Sequence, residues 1–125
     1  MTTITVCTTC RTPEMRAADS EDRQGEAFLD AMITAALGTG ITVRGTACLM
    51  GCEHGCNIAV QDDDKLTYVL GRFDGAEDDA TAVVEFAQGH SASATGQVPF
   101  KQWPQGVKGH FISRIPPLRL PPPQL

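Results

Sequence analysis

Nowhere does the sequence approach the roughly 20 consecutive apolar residues that a membrane-spanning helix needs. Its first ten residues, "MTTITVCTTC", hold no basic stretch followed by an apolar one, so no secretory leader is expected. No glycine-rich phosphate loop, Ser–His–Asp set or paired-carboxylate site can be found, and no catalysis by the chain itself is expected. Five cysteines, an odd number, do not close into a disulfide framework. A reducing, cytoplasmic setting is therefore expected, where clustered cysteines read as metal or redox sites before disulfides.

Acids are missing from residues 98–125, which carry four bases, Lys101, Lys108, Arg114 and Arg119. All 15 acids lie in residues 1–97 beside six bases, a balance of −9. An acidic body repels nucleic acid and anionic membranes and suits a partner with a basic docking surface. A homodimer is left open. With 125 residues, 42% of them hydrophobic, the chain has material for one modest core. The expected division is a body over 1–97 and a Pro-rich, basic extension over 98–125.

The body reads as an α/β domain. "TITVC" (3–7) alternates in the β-branched manner and predicts a strand ending at Cys7. Pro13 is expected to keep the polar stretch after Cys10 from starting as helix. Ser20, followed by Glu21 and Asp22, offers a helix start. Phe28, Ala31, Met32 and Ala35 recur at helical spacing with Leu37 extending the stripe, and Gly38 and Gly40 stop it. "ITVRGTAC" (41–48) predicts a strand delivering Cys48. "CNIAVQ" (56–61) and "KLTYVLGRF" (65–73), joined at Asp62, Asp63 and Asp64, predict an antiparallel hairpin. "AEDDATAVVEFAQG" (76–89) predicts a second long helix with Ala80, Val83, Val84 and Ala87 inside. The expectation is a mixed four-stranded sheet in the order β-α-β-β-β-α, on a thioredoxin-like plan with helices packed on it. The tail, with seven of the eight prolines, is expected to form neither strand nor helix. Phe100, Trp103, Phe111 and Ile115 should pack it on the body or on a partner.

The cysteines fall into two groups, Cys7 with Cys10, and Cys48, Cys52 and Cys56 at a four-residue period. Cys7-x-x-Cys10 after a strand suits a thiol–disulfide reductase, whose dithiol needs a helix amino terminus to lower one thiol's pKa. Pro13 and a polar loop follow the pair instead. Such enzymes also place a cis-proline before the third strand, where this chain has Cys56. Cys-x-x-Cys with a distant Cys-x-x-x-Cys also suits a structural zinc in an interaction or metallochaperone module. An iron–sulfur cluster takes the same four thiolates and needs backbone amides around its sulfides. Gly51 and Gly55 in "CLMGCEHGC" would admit those amides. His54 is read as a solvent-facing loop residue, Met50 as an apolar cover, Arg11 as a surface base, and Asp62–Asp64 as too close-set for a calcium loop. His90 and His110 receive no role.

A strand ending in cysteine, a helix, a strand ending in Cys-x-x-x-Cys, a hairpin and a helix resemble the thioredoxin-like 2Fe–2S ferredoxins over about residues 4–90. "CTTCR", "CLMGCEHGC" and the late "FISRIPP" make nearly the whole chain similar to small ferredoxin-like, predicted metal-binding proteins often associated with cobalamin-biosynthesis genes. The resemblance implies a one-electron carrier with one 2Fe–2S cluster, held by Cys48 and Cys52 as the loop pair and by Cys7 and Cys10 as the first pair. Cys56 stands where relatives have proline and is the alternative ligand.

Overall fold

Period-two alternation drives the first element, β1 (Thr3–Cys7), whose Ile4 and Val6 are fully buried. The structure is a computed structural model describing residues 2–11, 13–18, 24–50 and 55–118. After β1 come a one-turn helix α1 (Pro13–Ala17), then α2 (Gln24–Ala36) and the strands β2 (Thr42–Thr46), β3 (Cys56–Gln61) and β4 (Thr67–Phe73). Helix α3 (Glu77–Ala92), 3-10 turns at Phe100–Gln102 and Gln105–Val107, and β5 (Phe111–Ile115) complete the described chain. The strands form one mixed sheet in the order β2-β1-β3-β4-β5. β1 and β2 are parallel, as a helical crossover requires, and every other neighbouring pair is antiparallel.

Helices α2 and α3 pack side by side. Phe28 and Met32 of α2, with Val83, Phe86 and Ala87 of α3, join Ile4, Val6, Ile58, Val60 and Leu70 in the core. Edge-to-face and tilted rings extend it, with Tyr68–Phe86 centroids 5.0 Å apart and Phe28–Phe73 centroids 5.5 Å apart. The alternate residues of β1 carry polar side chains. There Arg44 Nε donates to Thr5 Oγ1 at 2.8 Å, and Thr5 Oγ1 reaches Gln61 Oε1 at 3.4 Å.

Three expectations change. The sheet has five strands, not four, because Phe111–Ile115 of the tail pairs antiparallel with β4. Pro104 and Pro116 flank this apolar segment without interrupting it, and an edge strand tolerates such neighbours. Val98 and Val107, 4% and 0% exposed, also enter the core. Pro13 does not hold helix off. It opens α1, since the first helical position needs no N–H. Within the described residues α2 begins at Gln24, and the expected start at Ser20–Asp22 lies outside them. Leu37 falls beyond the end of α2 and is 73% exposed, while Gly38 and Gly40, at φ 77° and 78°, turn the chain away.

Candidate functional site

The end of β1 places Cys7 with no exposed surface, and the following corner brings Cys10 to 3% exposure. Threonines bolt that corner to the exit of β2. The Thr8 amide and hydroxyl both donate to Thr46 O, at 2.8 and 2.9 Å, and the Thr9 hydroxyl donates to Ala47 O. The loop carrying Cys48 is thereby held beside Cys7. Helix α2 closes the corner from another side, where the Gly25 amide donates to Cys10 O at 3.0 Å. A β-carbon at Gly25 would collide with Cys7 O and lie 2.9 Å from the Thr8 carbonyl carbon, so only glycine fits.

Cys56 opens β3 opposite Phe73 and is fully buried. One residue on, Asn57 is 1% exposed, and its Nδ2 donates to Cys10 Sγ at 2.9 Å and to Gly55 O at 3.0 Å. Cys48 is exposed, and its sulfur accepts the Met50 amide at 3.2 Å. Met50 itself is in the left-handed region at φ 61° and is 89% exposed, so it does not cover the sulfurs as expected. Cys52, His54 and Gly51 lie outside the described residues.

The three buried sulfurs sense one another. Burial raises the Cys7 thiol, but hydrogen bonds from Cys10, from the Leu49 amide and from Thr9 outweigh it and hold it below the ordinary value. Burial, the hydrogen bond to Cys7 and the charges of Cys7 and Cys56 push Cys10 up to about 12, against the opposing bond from the Asn57 main chain. Burial, with the charges of Cys7, Asp74 and Asp79, pushes Cys56 up to about 12 as well. Of the three, Cys7 is the thiol most easily ionised, because the Cys10 thiol, the Leu49 amide and Thr9 all direct hydrogen bonds at its sulfur. Among the described residues no three Cys, His, Asp or Glu side chains converge into a group able to hold a metal ion. The donor chemistry nonetheless suits soft metals, because Cys7, Cys10 and Cys48 each accept N–H bonds of the kind that stabilise thiolate ligands.

Asn57, Thr8 and Thr9 were not singled out by the sequence, where an Asn after a cysteine and a Thr-Thr pair carry no distinctive spacing. His90 and His110 also have places. His90 is fully buried, donating from Nε2 to Leu66 O at 2.6 Å and accepting from the Thr2 hydroxyl at 2.8 Å. His110 stacks on Phe73 with centroids 4.2 Å apart and bonds Gly71 O at 2.8 Å. Asp62 closes the hairpin turn through the Asp63 amide and approaches Lys65 at 3.8 Å, the geometry of a turn and not of a cation site.

Residues 4–117, from β1 through β5, match the family described as "Protein of unknown function (DUF1636)". The chain belongs to the DUF1636 family. No curated protein and no solved structure matches it. The matched DUF1636 segment contains all five cysteines and reaches through the tail strand. Among the described residues of this DUF1636 protein, no helix is long and apolar enough to cross a membrane.

Proposed function

We propose that this DUF1636 protein is a one-electron carrier on a thioredoxin-like scaffold, and that Cys7, Cys10, Cys48 and Cys52 hold a single 2Fe–2S cluster, with Cys56 as the alternative ligand. The carrying observation is the set of N–H donors on sulfur: Asn57 Nδ2 on Cys10 at 2.9 Å, Met50 N on Cys48 at 3.2 Å, and the Leu49 amide on Cys7. Such donors offset the negative charge of a thiolate-ligated group. A bound 2Fe–2S cluster would supply reversible one-electron transfer. The chain's own part is to hold the sulfurs at the joined ends of β1 and β2 and aim amides at them. Its exposed Cys48 loop would bring the group toward a partner. The parallel β1–β2 pair with a helical crossover, followed by an antiparallel hairpin, supports the thioredoxin-like plan. The acidic body supports a basic partner surface. A cytoplasmic site of action and a link to cobalamin biosynthesis follow from the sequence pattern and the family resemblance alone.

The test is the visible spectrum of anaerobically purified protein with its iron, sulfide and zinc counted. The expected protein is red-brown, with iron and acid-labile sulfide equal at about two irons per chain. A colourless protein with one zinc and no sulfide would leave the structural-zinc function in its place. Cys48→Ser and Cys52→Ser should abolish or grossly alter the spectrum, whereas Cys56→Ala should leave it near native. The reverse pattern makes Cys56 the ligand.

One observation favours a second function. Cys7 held low beside a Cys10 held near 12 is the asymmetry of a dithiol whose first sulfur attacks and whose second resolves. The buried state of Cys7 weighs against it. Metal-free protein that reduces disulfides, and loses this in Cys7→Ser and Cys10→Ser but not in Cys48→Ser, would establish the reductase.

A further inference from the structure

Among the described residues, Asn57 joins a cysteine sulfur to the backbone of the cysteine loop through a single side-chain nitrogen. Its amide has two protons, and both are used, one on Cys10 Sγ at 2.9 Å and one on Gly55 O at 3.0 Å. The residue is 1% exposed, so no water competes for either bond. Gly55, at φ 65° with Arg72 Cα 3.8 Å from where its β-carbon would lie, is the last residue before β3. The sulfur, the loop end and the start of β3 are thus tied by one planar group. A hydrophobic residue would be the ordinary choice for so buried a position. An amide there costs desolvation unless its donors are satisfied, and the acceptor chosen for one of them is sulfur.

We propose that Asn57 is a positioning residue that fixes the Cys10 sulfur for ligation and raises the reduction potential of whatever redox group that sulfur holds. The proposal rests on the thiolate-ligand function above. It deepens that function by naming a residue that does not touch metal but controls a ligand. An N–H bond to a ligating sulfur stabilises the more negative, reduced form, so removing it moves the potential in the negative direction. The same bond draws electron density from sulfur and shifts its charge-transfer bands.

Asn57→Leu keeps the side-chain shape and deletes both donors. Asn57→Ser keeps a small polar group too short to reach the sulfur, and serves where leucine fails to fold. The control is Thr2→Val, which removes a buried hydroxyl bonded to His90 at 2.8 Å, outside the cysteine corner. In full-length, anaerobically purified protein, the Asn57 variants should retain iron and sulfide at wild-type ratio. They should show a potential more negative than wild type and a shifted visible spectrum, while Thr2→Val lowers the melting temperature and moves neither. An Asn57 variant that keeps its metal with wild-type potential and spectrum overturns the proposal.

If wild type carries zinc instead of iron and sulfide, the cluster and the effect on potential both fall, and the positioning of the Cys10 sulfur by Asn57 is the part that is tested. Co²⁺ substituted into the site then reports through its thiolate charge-transfer band. A shift in the Asn57 variants, absent in Thr2→Val, supports the proposal, and an unshifted band overturns it. Wild type that takes up neither iron–sulfide nor Co²⁺ overturns both together.

Discussion

At the scale of single residues, the buried histidine is the clearest titrating element outside the cysteine corner. His90 donates to Leu66 O, a carbonyl that can only accept, so its neutral form carries the proton on Nε2 and uses Nδ1 to accept from Thr2. Burial lowers its pKa first, the Leu66 carbonyl opposes this, Lys65 lowers it further, and Asp62 works upward. Lys65 Nζ stands close by, donating to His90 O at 3.2 Å and Ser91 O at 2.8 Å. Because the folded pKa is depressed, the unfolded chain binds the proton more readily as pH falls past the ordinary value of 6.5. Stability from this residue is whole above 6.5 and is lost as pH drops below it. Urea melts at pH 7.5, 6 and 5 should show a falling midpoint, and His90→Gln should flatten that fall. An identical slope in the variant would exclude His90 as its source.

At the scale of elements, the start of α2 at Gln24–Gly25 packs closely against the Cys7–Cys10 corner. The Gly25 amide caps Cys10 O, and no room exists for a β-carbon against Cys7 O. Gly25→Ala must push α2 outward or bend the corner. By comparison with other overpacked cores it should cost about 1–3 kcal/mol. The joint also sets the sulfur positions, so the same variant should lower metal uptake, while Gly38→Ala, where a β-carbon meets nothing within 4 Å, should cost stability through its φ of 77° and leave uptake intact. Thermal melts with metal analysis on the two variants check this. Equal uptake by both would show the corner to be more compliant than its packing indicates.

For the whole molecule, the tail completes the body. Strand β5 covers β4, and Trp103 packs on Phe111 at 4.3 Å while its Nε1 bonds Val98 O at 2.8 Å. A β-carbon at Gly106 would lie 2.5 Å from Ala82 Cβ, so this segment rests directly on α3. Deleting residues 98–125 uncovers Tyr68, Phe86 and Ala82 and removes a strand. The truncated chain should bind a hydrophobic dye and melt well below full length, and an unchanged melting temperature would refute this role of the tail. A chain of −9 over residues 1–97 should also associate with a basic redox partner in a salt-sensitive way, since exposed charges are screened beyond about 8 Å at physiological ionic strength. Association rates that do not fall with added salt would argue against acidic docking.

What the sequence by itself determined was local and periodic. Alternation marked β1, the turn at Asp62–Asp64 between two strand-like runs marked the β3–β4 hairpin, helical spacing marked Phe28 and Met32 as core, and the acids before Ala80 marked the start of α3. Cysteine spacing separated two groups of thiols. Tertiary structure alone decided what those groups have to do with each other. Nothing in the order of residues shows that Thr8 and Thr9 fasten Cys7 to the exit of β2, or that Asn57 reaches back 47 positions to Cys10. Nor does any local signal show that "FISRI" finds β4, because that outcome depends on a partner distant in sequence. Periodicity reports which face of an element is apolar. The acceptor that a buried amide finds, and the strand that an edge segment joins, are set by which surfaces the chain brings together when it buries those faces.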